Sequence, residues 1–318
     1  MAAPPLIGIA RLAAEAEPIA QRNTVSYASL PARSILNRCT SRRMPFEWTI
    51  NPYRGCEFGC QYCYARYTHE FMELRGGYDF ERHIFVKEHA AGLLRRDLRR
   101  VRPGERIAIG TATDPYQPAE RHYQVTRTLL EALAAGAGRD VGIITKSALI
   151  VRDLDVLRRI AASNRLQVRI TVTTMDTALA RELEPRAPRP DLRMAAVAQL
   201  AAAGLWTGVM CAPVLPAITD SRANLAAVAS AAQAAGARGF SAGALYLQPA
   251  AKARYLPFVR EHYPELAARY ARAFAGGAYL PASYHQGLRA RIEHIRNTLG
   301  FTVEPAPPPP APLQPSLF

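Results

Sequence analysis

Between residues 46 and 247 the chain passes six times from a short β-prone run to a longer stretch with apolar residues at helical spacing. The β-prone runs cover 46–50, 106–112, 141–146, 166–173, 208–214 and 239–247. Apolar stripes in the intervening stretches include Val125, Leu129 and Leu133, then Leu154, Leu157 and Ala161, then Met194, Val197 and Leu200, a repeat close to the helical turn. Three of these stretches end in Ala-Ala-Gly, at Gly136, Gly204 and Gly236, where glycine accepts the left-handed conformation that closes a helix. Strand and helix in strict succession keep the strands parallel, so the sequence predicts an α/β fold, a partial (β/α)6 TIM-like barrel.

Around it, residues 1–45 read as a weakly patterned arm, residues 46–300 as the barrel with C-terminal helices near 250–275 and 283–299, and residues 301–318 as a tail. Six prolines between Pro305 and Pro312 exclude a helix there and favour a stiff extended spacer. At 318 residues and 49% hydrophobic, the chain can bury one large core. The first 14 residues lack a basic leader and carry Arg11 inside their apolar run, and no apolar stretch spans a bilayer. A cytoplasmic protein with no membrane partner is expected.

Three of the five cysteines fall within eight residues, Cys56, Cys60 and Cys63, on a loop that the strand at 46–50 enters directly. In parallel barrels the loops after the strands carry the chemistry. Three close thiolates hold three corners of a cubane iron–sulfur cluster and leave the fourth iron open. A structural zinc would need a fourth ligand, with His69 or another cysteine supplying it. A disulfide framework suits neither the odd cysteine count nor the expected reducing compartment.

The other strand ends are also loaded with polar groups. They carry Thr113, Asp114 and Glu120 after the second strand, Lys146 and Ser147 after the third, and Thr174, Asp176 and Arg186 after the fourth. Cys211 and Ala212 close the fifth. Each of these also has an ordinary role open to it as a turn or helix cap.

The spacing CxxxCxxC, with Tyr62 before the last cysteine and Tyr64 after it, resembles the signature of the radical S-adenosylmethionine (SAM) enzymes. Asn51-Pro-Tyr-Arg-Gly-Cys56, Thr113-Asp-Pro-Tyr-Gln-Pro-Ala-Glu120, Glu184-Pro-Arg-Ala-Pro188 and Ala212-Pro-Val-Leu-Pro-Ala-Ile-Thr-Asp220 narrow this to a resemblance, over residues 45–300, with the spore photoproduct lyase-like branch. That resemblance implies a [4Fe–4S] cluster on Cys56, Cys60 and Cys63, SAM as cosubstrate, and an external electron donor such as flavodoxin or ferredoxin.

SAM bound there needs an anion for its ammonium, Asp114 or Glu120, and a cation for its carboxylate, Lys146 or Arg186. Thr174 and Asp176 after the fourth strand suit the ribose, main chain at Ala212 suits the adenine, and Thr113 and Ser147 are further candidates to contact SAM. Tyr62 and Tyr64 match the tyrosines proposed in that branch as hydrogen relays. Its donor cysteine after the second strand has no counterpart within 107–120, which leaves Cys211 as the candidate.

Forty basic against twenty-six acidic residues give a formal charge of +14, which favours a polyanionic partner, DNA under this resemblance. A protein or small-molecule substrate is the alternative, and a non-enzymatic iron–sulfur protein associated with DNA is a third reading. The terminal Gln314-Pro-Ser-Leu317-Phe318 resembles the peptide by which bacterial repair proteins dock on the sliding clamp, through Gln314, Leu317 and Phe318.

Overall fold

The computed structural model describes residues 6–301, and its strands fall in two sheets. In chain order they are β1 (Pro18–Arg22), β2 (Val25–Leu30), β3 (Leu36–Arg38), β4 (Trp48–Ile50), β5 (Tyr53–Arg54), β6 (His83–Lys87), β7 (Arg106–Ile109), β8 (Asp140–Thr145), β9 (Arg165–Thr171), β10 (Thr207–Val214) and β11 (Gly239–Ala244). The larger sheet runs β11-β10-β9-β8-β7-β4-β3. Its six strands from β4 to β11 are parallel neighbours in sequence order, and only β3 is antiparallel, on β4. This is the six-unit succession that the sequence predicts, each strand starting and stopping within a few residues of its apolar run.

Ile107, Ile109, Val141, Ile143, Val168, Ile170 and Val209 are buried in one apolar cluster with Leu129, Leu157, Val197 and Leu225 from the crossover helices. Being two residues apart on their strands, these side chains share one face of the parallel sheet, the face that the helices cover. Gly204 and Gly236 end their helices at φ +80 and +78 as expected. After the helix Val125–Ala134 the positive φ falls two residues later than expected, at Gly138, although Gly136 N–H bonds Leu133 O (3.1 Å) just as Gly204 N–H bonds Ala201 O and Gly236 N–H bonds Gln233 O.

The smaller sheet, β1-β2-β6-β5, is built from the segment read as an arm and from residues 53–87. β2 runs parallel to β6, and β5 runs antiparallel to it. Asp97 ties the same segment to the barrel, accepting from Ser34 Oγ at 2.7 Å and Ile35 N at 2.9 Å.

A second apolar cluster joins the cysteine loop, through Phe58, Tyr62 and Ala65, to Leu183 and to the helices Pro249–His262 and Pro264–Ala273, through Tyr255, Val259, Tyr270 and Phe274. The loop is thereby clamped between the strand ends and the C-terminal helices. A cavity of about 380 Å³ lies elsewhere, between Ser241–Ala244 on the outer strand β11 and His285, Arg289 and Glu293 on the helix Ala282–Leu299. Among the described residues no helix is long and apolar enough to cross a membrane. Gln314, Leu317 and Phe318 lie outside the described residues, as does all of the tail beyond Phe301.

Candidate active site at the strand ends

The short strand β5 delivers the chain into the loop, and Gly55 makes the turn at φ +83. A Cβ there would lie 2.7 Å from His83 O and 2.8 Å from Phe80 O, so only glycine fits. Cys56 N then donates to Phe80 O at 3.0 Å, Gln61 N to Leu183 O at 3.0 Å, and Cys63 N to Cys60 O at 3.2 Å. Side chains from the next strand end hold the loop from the other direction. Asn51 Oδ1 accepts from Ala112 N at 2.7 Å, Thr113 Oγ1 donates to Gly55 O at 2.6 Å, and Gln117 spans Gly55 O (3.1 Å) and Glu57 N (3.0 Å).

Cys56 feels both of the other thiols electrostatically, and Cys60 feels Cys63. Burial pushes all three up, Cys60 to about 12, with the nearby Lys146 pulling back on Cys60 and Arg66 on Cys63. Loading metal therefore releases their protons. His69, the sequence's candidate for a zinc ligand, is engaged elsewhere. Its Nε2 bonds His83 O at 2.9 Å, and its ring packs on Phe80 and Phe85. Among the described residues no three His, Cys, Asp or Glu side chains are placed to ligate a single metal ion. Three thiols on a rigid loop without a fourth ligand fit a cubane with one open iron.

Beside them sits a buried ionic network. Glu184, at 1% exposure, receives the Tyr62 hydroxyl, the Arg193 guanidinium, Thr173 Oγ1 at 2.9 Å, and Lys146 Nζ at 3.9 Å. Burial alone would raise this carboxyl, but Arg193 and Lys146 outweigh it and hold it below its usual value. Lys146 in turn is held above its usual value by Glu184 and Cys60, against the effect of burial. Its ammonium lies 5.7 Å from the Tyr62 ring centre. Arg193 has no local sequence signal; it reaches in from the helix Pro190–Ala202 and also donates to Thr171 O at 3.0 Å.

The remaining sequence candidates divide. Asp114 is at the site, within the field of Cys56, and its two oxygens organise the loop by accepting from Thr145 Oγ1 (2.6 Å), Lys146 N (2.7 Å) and Tyr116 N (2.9 Å). Arg186 is exposed, its guanidinium 3.6 Å from where a Cβ on Gly59 would lie. Tyr64 is part-exposed, its hydroxyl bonded to Thr111 O and its ring 6.1 Å from that of Tyr246 beyond the last strand.

Glu120 is instead occupied on the helical side, by Tyr53, Thr126 N (2.9 Å) and Arg152 (2.8 Å). Ser147 and Asp176 cap helical turns, accepting from Leu149 N at 3.2 Å and Ala178 N at 2.8 Å, and Thr174 Oγ1 accepts from Asp176 N at 3.1 Å. Ala212 lies in β10, before a cis bond to Pro213. Cys211 is fully buried, its Sγ 3.6 Å from Thr173 O, and burial pushes its thiol up to about 12.

A parallel partial barrel that presents three thiols and a buried lysine–glutamate–arginine network at its strand ends defines an iron–sulfur enzyme class. A family model of the radical SAM superfamily matches residues 50–228. The chain belongs to that superfamily: it is an enzyme of the kind that uses a [4Fe–4S] cluster and SAM. It is 36% identical to an uncharacterised protein of Mycobacterium tuberculosis over 91% of this chain and 86% of that one. It is 26% identical to an uncharacterised protein of Methanocaldococcus jannaschii over 55% and 62% of the two chains. Among solved structures, spore photoproduct lyase complexed with dinucleoside spore photoproduct superposes with a TM-score of 0.65 at 15% identity, over 86% of this chain and 79% of that one. The shared fold is the partial TIM-like barrel.

Proposed function

We propose that this radical SAM enzyme abstracts hydrogen from a nucleic acid, a damaged DNA base in the first instance, with the cluster on Cys56, Cys60 and Cys63. The observation that carries the reading is the rigid three-thiol loop at the barrel mouth, flanked by Tyr62 and Tyr64 and set in a chain of charge +14. When bound, the reduced cluster would supply one electron to SAM, whose C5′–S bond would break to methionine and a 5′-deoxyadenosyl radical.

The chain's own groups position and enclose that chemistry. Asp114, whose charge Cys56 feels, is the anion for the SAM ammonium. Exposed Arg186, beside Gly59, is the cation for its carboxylate. Lys146 keeps a positive charge next to Cys60, which favours the thiolate there. Thr113, Ser147, Thr174 and Asp176, which hold the loops at these strand ends, and main chain at Ala212 remain the candidates for the rest of SAM. Tyr62 and Tyr64 are the relay candidates, while Cys211, closed off in the core, is left without a part. Flavodoxin or ferredoxin supplies the electron from outside.

Anaerobic protein reconstituted with iron and sulfide, given SAM, a reductant and ultraviolet-irradiated deuterated DNA, is expected to form 5′-deoxyadenosine that carries deuterium. Deuterium-free 5′-deoxyadenosine with every nucleic acid tried would move the substrate to a peptide or small molecule. Gln314, Leu317 and Phe318 complete the reading as a sliding-clamp anchor.

A further inference from the structure

β5 and β6 pair so that Arg54 stands opposite Phe85 and Tyr53 opposite Val86. Lys87, two residues beyond Phe85, shares the face of Arg54, because side chains alternate along a strand. Tyr53, Ile84 and Val86 take the other face and enter the main core. The pairing sets two cations on one face, and among the described residues neither is in an ion pair. Lys87 is only 7% exposed. Among the described residues its ammonium makes no hydrogen bond or ion pair, and its one electrostatic neighbour is Arg54. Arg54 Nε is buried and without a partner; burial lowers its guanidinium and the nearby Tyr67 pulls it back up.

Among the described residues the other two cations of comparable burial are answered by carboxylates, Arg66 by Glu81 at 2.7 Å and Arg193 by Glu184, whereas the half-buried Lys252 and Arg139 bond only main-chain carbonyls. Buried charge persists when it is paired, and two like charges sharing a site make the demand stronger.

We propose that Arg54 and Lys87 form an oxyanion site whose ligand is a phosphate group. The guanidinium offers a planar fork that matches two phosphate oxygens, the ammonium a point charge for a third, and Tyr67 a hydroxyl beside them. The site is distinct from the cysteine loop, since its side chains project from the smaller sheet, and it stands whether or not the enzyme acts on DNA. The phosphate is either inorganic phosphate or a backbone phosphodiester of a nucleic acid.

The test uses the full, cluster-loaded chain in chloride buffer of matched ionic strength. Titration calorimetry with inorganic phosphate is expected to show binding by wild type that weakens at least ~10-fold in Lys87→Met and in Arg54→Gln. In phosphate-free buffer Lys87→Met is expected to melt at or above the wild-type temperature, because it removes an unanswered buried charge; this keeps the loss of binding separate from unfolding. A single-stranded 12-mer is the second probe. If Lys87→Met weakens it by a similar factor and phosphate competes with it, the source is the nucleic-acid backbone; if only inorganic phosphate responds, the source is the free anion. Unchanged phosphate affinity in both variants, or no binding of either probe by wild type, overturns the proposal.

Discussion

Sealed at 1% exposure between two cations and a tyrosine, the Glu184 carboxylate fixes three groups at the cysteine loop together. Replacing it with Gln keeps the shape but leaves Arg193 and Lys146 without a counter-charge. Breaking a buried pair from one side costs about 3–5 kcal/mol, so Glu184→Gln should lower the urea unfolding free energy by that order; a change below ~0.5 kcal/mol would refute the network's role. His69 gives a pH signature. Burial first, with the charges of His83 and Arg54 adding to it and the bond to His83 O opposing it, lowers His69 to about 4 from an ordinary 6.5. The unfolded chain therefore takes up a proton at a pH where the folded one does not. Stability is complete above pH 6.5 and falls as pH drops toward 4, by on the order of 3 kcal/mol. His69→Gln should flatten the melting temperature against pH across that window, and an unchanged slope would assign it to other groups. At this scale the cysteines and flanking tyrosines were legible because their spacing is covalent. Arg193 was not, since it meets Tyr62 and Glu184 only after a helix has folded back.

The loop works as an element because its turn admits no side chain. Gly55→Ala places a Cβ against two carbonyl oxygens at 2.7 and 2.8 Å in a left-handed conformation. It should cost at least ~2 kcal/mol and lower the iron bound per chain on reconstitution; wild-type iron content would show that the loop adapts. The contrasting substitution is Gly92→Ala, in the helix Ala90–Asp97 with nothing within 4 Å of the new Cβ, which should stabilise by up to about 1 kcal/mol. The six barrel strands were readable because each is a contiguous apolar run followed by its own helix. The smaller sheet was not readable, since β2 finds its partner β6 more than fifty residues away, and neither strand's pattern names the other.

Over the whole molecule, the tail can be separated from the barrel's chemistry. Deleting residues 314–318 should abolish binding to a bacterial sliding clamp while SAM cleavage stays within about twofold; unchanged clamp affinity would retire the anchor. The +14 charge belongs to this scale as well, although part of it is spent internally on Glu184, Glu81 and Glu120.

The sequence by itself determined the number and order of the parallel strands, the end of the barrel that carries chemistry, and the three cysteines, because periodicity and spacing are local properties. Only the tertiary structure decided which acids face that end. Asp114 and Glu120, six residues apart, were equivalent in the sequence; folding turned one toward Cys56 and locked the other under Arg152. Glu184 became the centre of the site through Tyr62, 122 residues away in the chain. The physical reason is burial: a charged group acquires its partner from whichever segments close over it, and these come from distant parts of the sequence.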